Sequence, residues 1–342
     1  MLISAPMEYD VTLIPGDGIG PEVTAATVRL IDAVCPCIRW QEVAAGANAL
    51  ETHGTPLPDE VVQSIKRTRI GLKGPLTTPV GKGFSSVNVA LRKALNTYVS
   101  LRPVTSFSGV ETRHENVDLV VFRENTEGLY AGLEHESVPG VIESLRVITY
   151  DACRRFAKYA YEWCRYNGRR RVHLVHKASI MKLSDGLFLD ACREVAEDYP
   201  YIETFDILTD HLCMELVLDP TRFDVLIMEN LFGDLLSDLC AGLVGGLGLV
   251  PGANIGDHYA VFEAVHGSAP DIAGKGIANP IALMLSGVMM LRHIGERGAA
   301  DRMDRAIRRV LSARRVRTGD LGGTANTREL TDAIIDRLGD CA

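Results

Sequence analysis

The chain has no excess of basic charge. Lysine and arginine number 36 against 44 aspartates and glutamates, a formal net charge of -8. That balance argues against general binding to nucleic acid or to anionic membranes. Long apolar runs are missing too: none reaches the ~18 residues that would suggest a membrane span. The stretch from Met1 to Tyr9 has no basic segment followed by an apolar one, so no signal peptide is expected. There is no internal repeat and no low-complexity segment. None of the eight cysteines forms a CxxC pair, and Cys35-Pro36-Cys37 is too short for a zinc ribbon. Reduced thiols in a cytoplasmic compartment are the expectation. What remains is the composition of a soluble globular protein, 46% hydrophobic and 23% charged. At 342 residues it calls for two domains or one large α/β unit.

One stretch organises the rest. Phe223 to Ile227 reads as a buried strand, and Met228-Glu229-Asn230-Leu231-Phe232-Gly233-Asp234 leads from it into a helix that Gly245 and Gly246 stop. Asp234 and Asp238 are four apart, so on a helix both carboxylates point to one side. Their neighbours Leu235, Leu236, Leu239 and Leu243 are apolar, and carboxylates in apolar surroundings need a cation. A Mg2+ or Mn2+ site at a strand-to-helix turn is therefore expected. A solvated acidic face is the plainer reading of the two aspartates alone.

Taken in order, the chain alternates strands and helices. Asp10 to Ile14 reads as a strand, followed by the glycine-rich turn Pro15 to Glu22 and a helix opened by Pro21. The spacing is GxGxG rather than GxGxxG, which suggests a tight connection beside a cofactor, not an ordinary Rossmann site. Gly74 to Gly83 reads as a loop, and Ser86 as the cap of a helix carrying Asn88 and Arg92. A strand from Tyr98 ends in Arg102-Pro103, and the strand Val117 to Phe122 ends at Arg123. Singly these arginines are ordinary; together, Arg92, Arg102 and Arg123 fit a substrate with several carboxylates. Lys177 ends the strand that starts at Val172, in apolar company that can depress a lysine pKa. An exposed strand-end lysine fits that stretch equally well. Asp210 reads as a helix N-cap. Residues 251–279 read mainly as loop around a strand at Tyr259 to Phe262, and His266 to Gly276 can wrap a nucleotide, with Asp271 facing ribose hydroxyls.

Six stretches in order, Leu13 to Glu22, Gly74 to Arg102, Arg123 to Gly132, His176 to Lys182, Asn230 to Gly248 and Glu263 to Pro280, resemble the β-decarboxylating dehydrogenases. That family includes isocitrate, homoisocitrate and 3-isopropylmalate dehydrogenases. The resemblance implies a two-domain α/β fold distinct from the ordinary Rossmann fold. It divides the chain into a discontinuous domain, 1–98 plus 245–342, and a smaller one, 99–244, that carries the dimer interface and the metal aspartates. It implies a homodimer with shared active sites, in which Lys177 and Asp210 serve the neighbouring subunit. Catalytic roles fall on Tyr130 and Lys177, substrate contacts on Ser86, Asn88, Arg92, Arg102 and Arg123, and metal ligation on Asp210, Asp234 and Asp238. Contacts to NAD fall on Thr78, Asn230, Glu263, His266, Gly267, Ser268, Ala269, Asp271, Ile272 and Asn279.

Ser86 and Asn88 resemble the isocitrate type, where polar groups meet the third carboxylate. Glu229 departs from the pattern, which has a neutral residue there, and adds negative charge near the metal or the nicotinamide. The implied reaction is NAD-dependent, metal-dependent oxidative decarboxylation of isocitrate. Homoisocitrate, a 3-substituted malate or a phosphonate analogue are the alternative substrates. A regulatory subunit of a hetero-oligomer is the non-enzymatic alternative.

Overall fold

Parallel strands need long crossovers, and the strand–helix alternation supplies them. The computed structural model describes residues 8–78 and 86–339. Part of the loop expected over Gly74–Gly83, Ser85 of the motif after it, and Cys341 lie outside the described residues. The first segment contains β1 (Tyr9–Ile14), α1 (Gly20–Val34), β2 (Ile38–Glu42), α2 (Ala47–His53), α3 (Asp59–Thr68), β3 (Ile70–Lys73) and α4 (Val87–Leu95). Next come β4 (Val99–Thr105), β5 (Asp118–Glu124), the hairpin β6 (Gly128–Val138) and β7 (Val141–Val147), and α5 (Tyr150–Asn167). Then β8 (Arg171–His176), α6 (Ser184–Glu197), β9 (Glu203–Leu208), α7 (Thr209–Leu218), β10 (Val225–Met228) and α8 (Asn230–Leu243) follow. The chain closes with β11 (Pro251–Ile255), β12 (Ala260–Ala264), α9 (Ile281–His293), α10 (Arg297–Ala313) and α11 (Thr327–Asp336).

Among the described residues, ten strands form one mixed sheet in the order β2-β1-β3-β12-β11-β4-β5-β10-β8-β9. β2, β1, β3 and β12 are parallel, as are β5, β10, β8 and β9. The antiparallel pairings of β11 with β12 and β4, and of β4 with β5, lie between them, so the two parallel halves run in opposite directions. Strands from 1–98 and 245–342 fill one half and strands from 99–244 fill the other. β10 is apolar and fully buried because it has parallel neighbours on both edges and helices over its faces. α9 is buried almost all round because it packs on β11 and β12 and is also contacted by α1 and α10.

Residues 251–255 form a central strand, β11, not loop. Pro251, Gly252 and Asn254 have poor strand propensity, and pairing on both edges overrides it. β4 continues past Pro103 to Thr105. β11 covers β4 only along Val99–Leu101, so Pro103 lies where that side of the strand has no partner to lose. β6 was not expected from its mixed polar sequence; it pairs with β7 across Pro139-Gly140, and most of both strands faces solvent. Asp210 is not the cap of α7: the helix starts at Thr209, whose hydroxyl donates to the His176 carbonyl at 3.2 Å. The described cysteines are free thiols, and most are buried in the core.

Candidate active site

The mixed centre of the sheet gathers polar side chains on one face. Cross-strand partners share a face, and the register pairs Lys73 with Glu263, Asn254 with Ser100, and Ser100 with Arg123. Arg102, two residues beyond Ser100, joins the same face. The result is a buried charged stripe across β3, β12, β11, β4 and β5. Glu263 forms ion pairs with Lys73 and, at 3.1 Å, with Arg92, and accepts from Asn254. Burial would raise its pKa, but Lys73 and Arg92 outweigh that and hold the carboxyl far below its ordinary range.

The three expected arginines converge. Arg92, Arg102 and Asn88 line one cavity of about 130 Å³ beside Ser100, Glu263 and His266. Arg102 is held by Ser100 at 3.2 Å and by Ser237 of α8. Arg123 donates from Nε and Nη2 to Oδ1 of Asn230, at 3.0 and 2.7 Å. Burial lowers the pKa of Arg102, and it brings Arg123 down to about 10 with help from Arg102 and Arg92. Crowded guanidinium groups of this kind favour a ligand carrying several negative charges. Among the described residues, Asn88 Oδ1 and Arg92 Nε are buried with no hydrogen-bond partner, as groups that meet a ligand would be. Ser86 caps α4 through Val89 N at 3.5 Å and accepts from the Thr78 hydroxyl at 3.2 Å.

Asp234 and Asp238 lie on one face of α8, but not among apolar side chains as their leucine neighbours suggested. Leu235 is 61% exposed, and the partners of the aspartates are arginines. Asp234 pairs with Arg123 and, at 3.6 Å, with Arg102; Asp238 is 3.8 Å from Arg102. Burial would raise the Asp234 pKa, but Arg123 and the Tyr130 hydroxyl keep it low. Asp238 is raised, chiefly by burial. Gly233 is required here, since a Cβ would fall 2.4 Å from Arg123 Cβ. Two hard oxygen donors fit Mg2+ or Mn2+, which keep water or substrate oxygens in their other positions. Among the described residues, Asp210 does not join them: it forms an ion pair with Lys177 instead, which lowers its pKa. Neither Lys177 nor Asp210 makes a hydrogen bond or ion pair to Asp234, Asp238 or Tyr130 among the described residues.

A second, larger cavity of about 690 Å³ adjoins the first, and His266 and Gly267 line both. Ala269, Ile272, Asn279 and Asp320 also line it. Asp320 accepts from Asn279 at 2.9 Å and from Thr318. Burial lowers the His266 pKa, and among the described residues its Nε2 has no hydrogen-bond partner. Asp271 is exposed, next to the lining residue Ile272. Ser268 lies under the glycine turn: Ile19 N donates to its carbonyl at 2.9 Å, and a Cβ on Gly18 would fall 2.0 Å from that oxygen. The turn amides of Asp17 and Ile19 thus bind protein carbonyls, as in a tight strand-to-helix connection. Asn230, expected at the cofactor, directs its amide to Arg123 and to the Glu127 carbonyl.

The model of the isocitrate/isopropylmalate dehydrogenase family matches residues 10–334. The chain belongs to that family. It is 52% identical over 328 residues to the mitochondrial NAD isocitrate dehydrogenase catalytic subunit 5 of Arabidopsis thaliana, covering 96% of this chain and 88% of that one. It is 50% identical over 329 residues to a regulatory subunit of the mitochondrial NAD isocitrate dehydrogenase of Dictyostelium discoideum, covering 96% and 91%. The crystal structure of isocitrate dehydrogenase from Methylococcus capsulatus superposes with a TM-score of 0.94 at 52% identity, covering 96% and 99%. The expected family and fold are thereby borne out, and the chain is most like NAD-dependent isocitrate dehydrogenases. The cytoplasmic expectation is overturned, because these eukaryotic relatives are mitochondrial. Free thiols separate reducing from oxidising compartments and do not tell one reducing compartment from another.

Sequence reasoning missed Lys73, Asn254 and Ser237, which hold Glu263 and Arg102. Lys73 ends an apolar strand, a signal of the kind that singled out Lys177. Asn254 lies in a stretch whose composition reads as loop.

Proposed function

We propose that the protein oxidises isocitrate with NAD+ and decarboxylates it to 2-oxoglutarate. The observation that carries this is the joining of an arginine-lined acid cavity to a nucleotide-sized groove through His266 and Gly267. Arg92, Arg102 and Arg123 bind two carboxylates of the substrate, and Asn88 and Ser86 meet the third. Asp234 and Asp238, with Asp210 of the partner subunit, would hold Mg2+ or Mn2+. When bound, that ion supplies Lewis acidity at the substrate hydroxyl and neutralises enolate charge; NAD+ supplies the hydride acceptor. Lys177 of the partner subunit takes the hydroxyl proton, directly or through water. Tyr130 keeps its phenolic proton, since burial and the Asp234 carboxylate raise its pKa. It returns a proton to the enol after CO2 leaves.

On this reading the two sheet halves are two domains, 1–98 with 245–342 and 99–244, and the assembly is a dimer with shared sites. The relatives support a mitochondrial setting. The test is NADH formation from isocitrate, NAD+ and Mn2+, with homoisocitrate, 3-substituted malates and phosphonate analogues as competitors. A homoisocitrate or malate rate exceeding that on isocitrate would reassign the substrate. The 50% identity to a relative named as regulatory favours one other reading, a regulatory subunit of a hetero-oligomer. No turnover by the chain alone, with turnover restored by a second, different subunit, would establish it.

A further inference from the structure

Arg146 of β7 sits between two buried carboxylates from different elements. It forms an ion pair with Asp185, the second residue of α6, and a longer one with Glu229 at 3.4 Å. The side chains of Asp185 and Glu229 are only 1% and 3% exposed, and Arg146 is 12% exposed. Arg146 also donates to Ser184 at 2.9 Å and stacks over the Phe232 ring at 5.5 Å. Buried ions tolerate this placement only when paired, so the position of each carboxylate depends on the same guanidinium.

Each carboxylate has a second task. Asp185 accepts from the backbone N–H of Lys177, and so fixes the turn where β8 delivers that lysine. Glu229 is the N-cap of α8, accepting from Leu231 N at 3.2 Å and Phe232 N at 3.1 Å. Glutamate is not a favoured N-cap. Here its negative charge lies at the positive end of the helix and faces Arg146. The charge of Glu229 is therefore directed at a protein cation and a helix terminus. The cap sets where α8 starts, and the start sets where Asp234 and Asp238 point.

We infer that Arg146 is a positioning residue that ties the Lys177 turn to the N-terminus of α8. This rests on the proposed roles of Lys177 and of the two aspartates. If Lys177 serves the neighbouring subunit, the tie joins the two contributions that one chain makes to two different sites. Displacement of α8 at one site is then carried to the lysine of the other.

The test uses the intact protein in three variants. Arg146→Lys keeps one charge but loses the fork that reaches both carboxylates. Glu229→Gln keeps an acceptor for the cap and removes the ion pair. Arg146→Met leaves both carboxylates unpaired and is expected to lower Tm. For Arg146→Lys and Glu229→Gln the expected result is a near-native Tm, a kcat lowered at least about fivefold and a KM for isocitrate within about twofold. Mn2+ binding, measured by electron paramagnetic resonance without turnover, should weaken at least about threefold in Glu229→Gln. A merely structural role would leave kcat and Mn2+ affinity unmoved once Tm is native. Wild-type kcat and Mn2+ affinity in both folded variants overturn the tie. Lys177→Ala separates the two levels: if it still turns over, the role of Lys177 fails and the tie with it. If it is inactive while Arg146→Lys and Glu229→Gln behave as wild type, the tie alone fails.

Discussion

The hydroxyl of Tyr130 donates a hydrogen bond to Oδ2 of Asp234, and Arg123 binds the other oxygen of the same carboxylate. The proposed proton donor is thus hydrogen-bonded to a proposed metal ligand, which an arginine of the substrate cavity also holds. Arg123 also lies over the Tyr130 ring, 4.8 Å from its centre. Any change at Asp234 must therefore reach three functions, whereas among the described residues Asp238 forms an ion pair with Arg102 alone, at 3.8 Å.

That asymmetry gives the first prediction. Asp234→Asn and Asp238→Asn should each weaken Mn2+ binding at least tenfold, about 1.4 kcal/mol, since each removes a hard anionic ligand. Asp234→Asn should lower kcat further than Asp238→Asn does, because it also disturbs Tyr130 and Arg123. Metal titration against activity, with Tm as the control, checks this. An unchanged metal dependence in both folded variants would remove the site from α8.

The second prediction concerns acid stability. His173 stacks on Phe205 at 5.3 Å and meets the edge of Phe223 at 4.9 Å. Burial, helped by Arg171 and Arg222, lowers its pKa to about 4. A base whose folded pKa lies below its unfolded value costs nothing above the unfolded pKa. Stability falls as pH drops from about 6.5 toward about 4, where the unfolded chain binds a proton that the folded chain refuses. His173→Phe should flatten the decline of Tm across that window and leave Tm at pH 8 within about 3 °C. A slope identical to wild type would show that other groups set the acid limit.

Much of this site was legible in the sequence because its parts are local. Asp234 and Asp238 share a helix face by spacing alone, and Arg102, Arg123 and Lys177 each lie on or just after a strand that the apolar pattern reveals. What was hidden depends on pairing across distance. β11 has a loop-like composition and becomes a strand only between β12 and β4. Lys73 and Asn254 matter only through Glu263, and it is the sheet register, not sequence spacing, that brings them to it. The leucines beside Asp234 pointed to apolar surroundings, but a helix has two sides, and the aspartates face the arginines.

A shared site predicts complementation. Lys177→Ala chains, inactive alone, and Tyr130→Phe chains, at most weakly active alone, should regain activity in mixed dimers. Both lesions then fall in one site and leave the other whole, so activity should approach half that of wild type in a pure heterodimer. Tagged chains and a two-step purification provide the sample. Confirmed heterodimers with no recovery would place the whole site within one chain.

The last prediction is coenzyme choice. NADP+ carries one more phosphate, on the adenosine ribose, and a site for it needs cationic or donating groups there. Among the described residues that line the large groove, the ionisable side chains are Asp320 and the low-pKa His266, and none of them carries a fixed positive charge. The Asp320 carboxylate is held in place by Asn279 and Thr318. Asp271 adds a second carboxylate beside the lining residue Ile272. Carboxylates suit free ribose hydroxyls and repel a phosphate. NAD+ should therefore be preferred at least tenfold in kcat/KM, about 1.4 kcal/mol in the transition state. Asp271→Lys with Ile272→Tyr should move the ratio toward NADP+ by supplying a cation and a hydroxyl at the edge of the groove. Asp320→Asn should weaken NAD+ without that reversal, because it removes a charge and adds none. Measuring kcat/KM for both coenzymes in the wild type and the two variants decides it: equal or reversed values in the wild type would refute the NAD assignment.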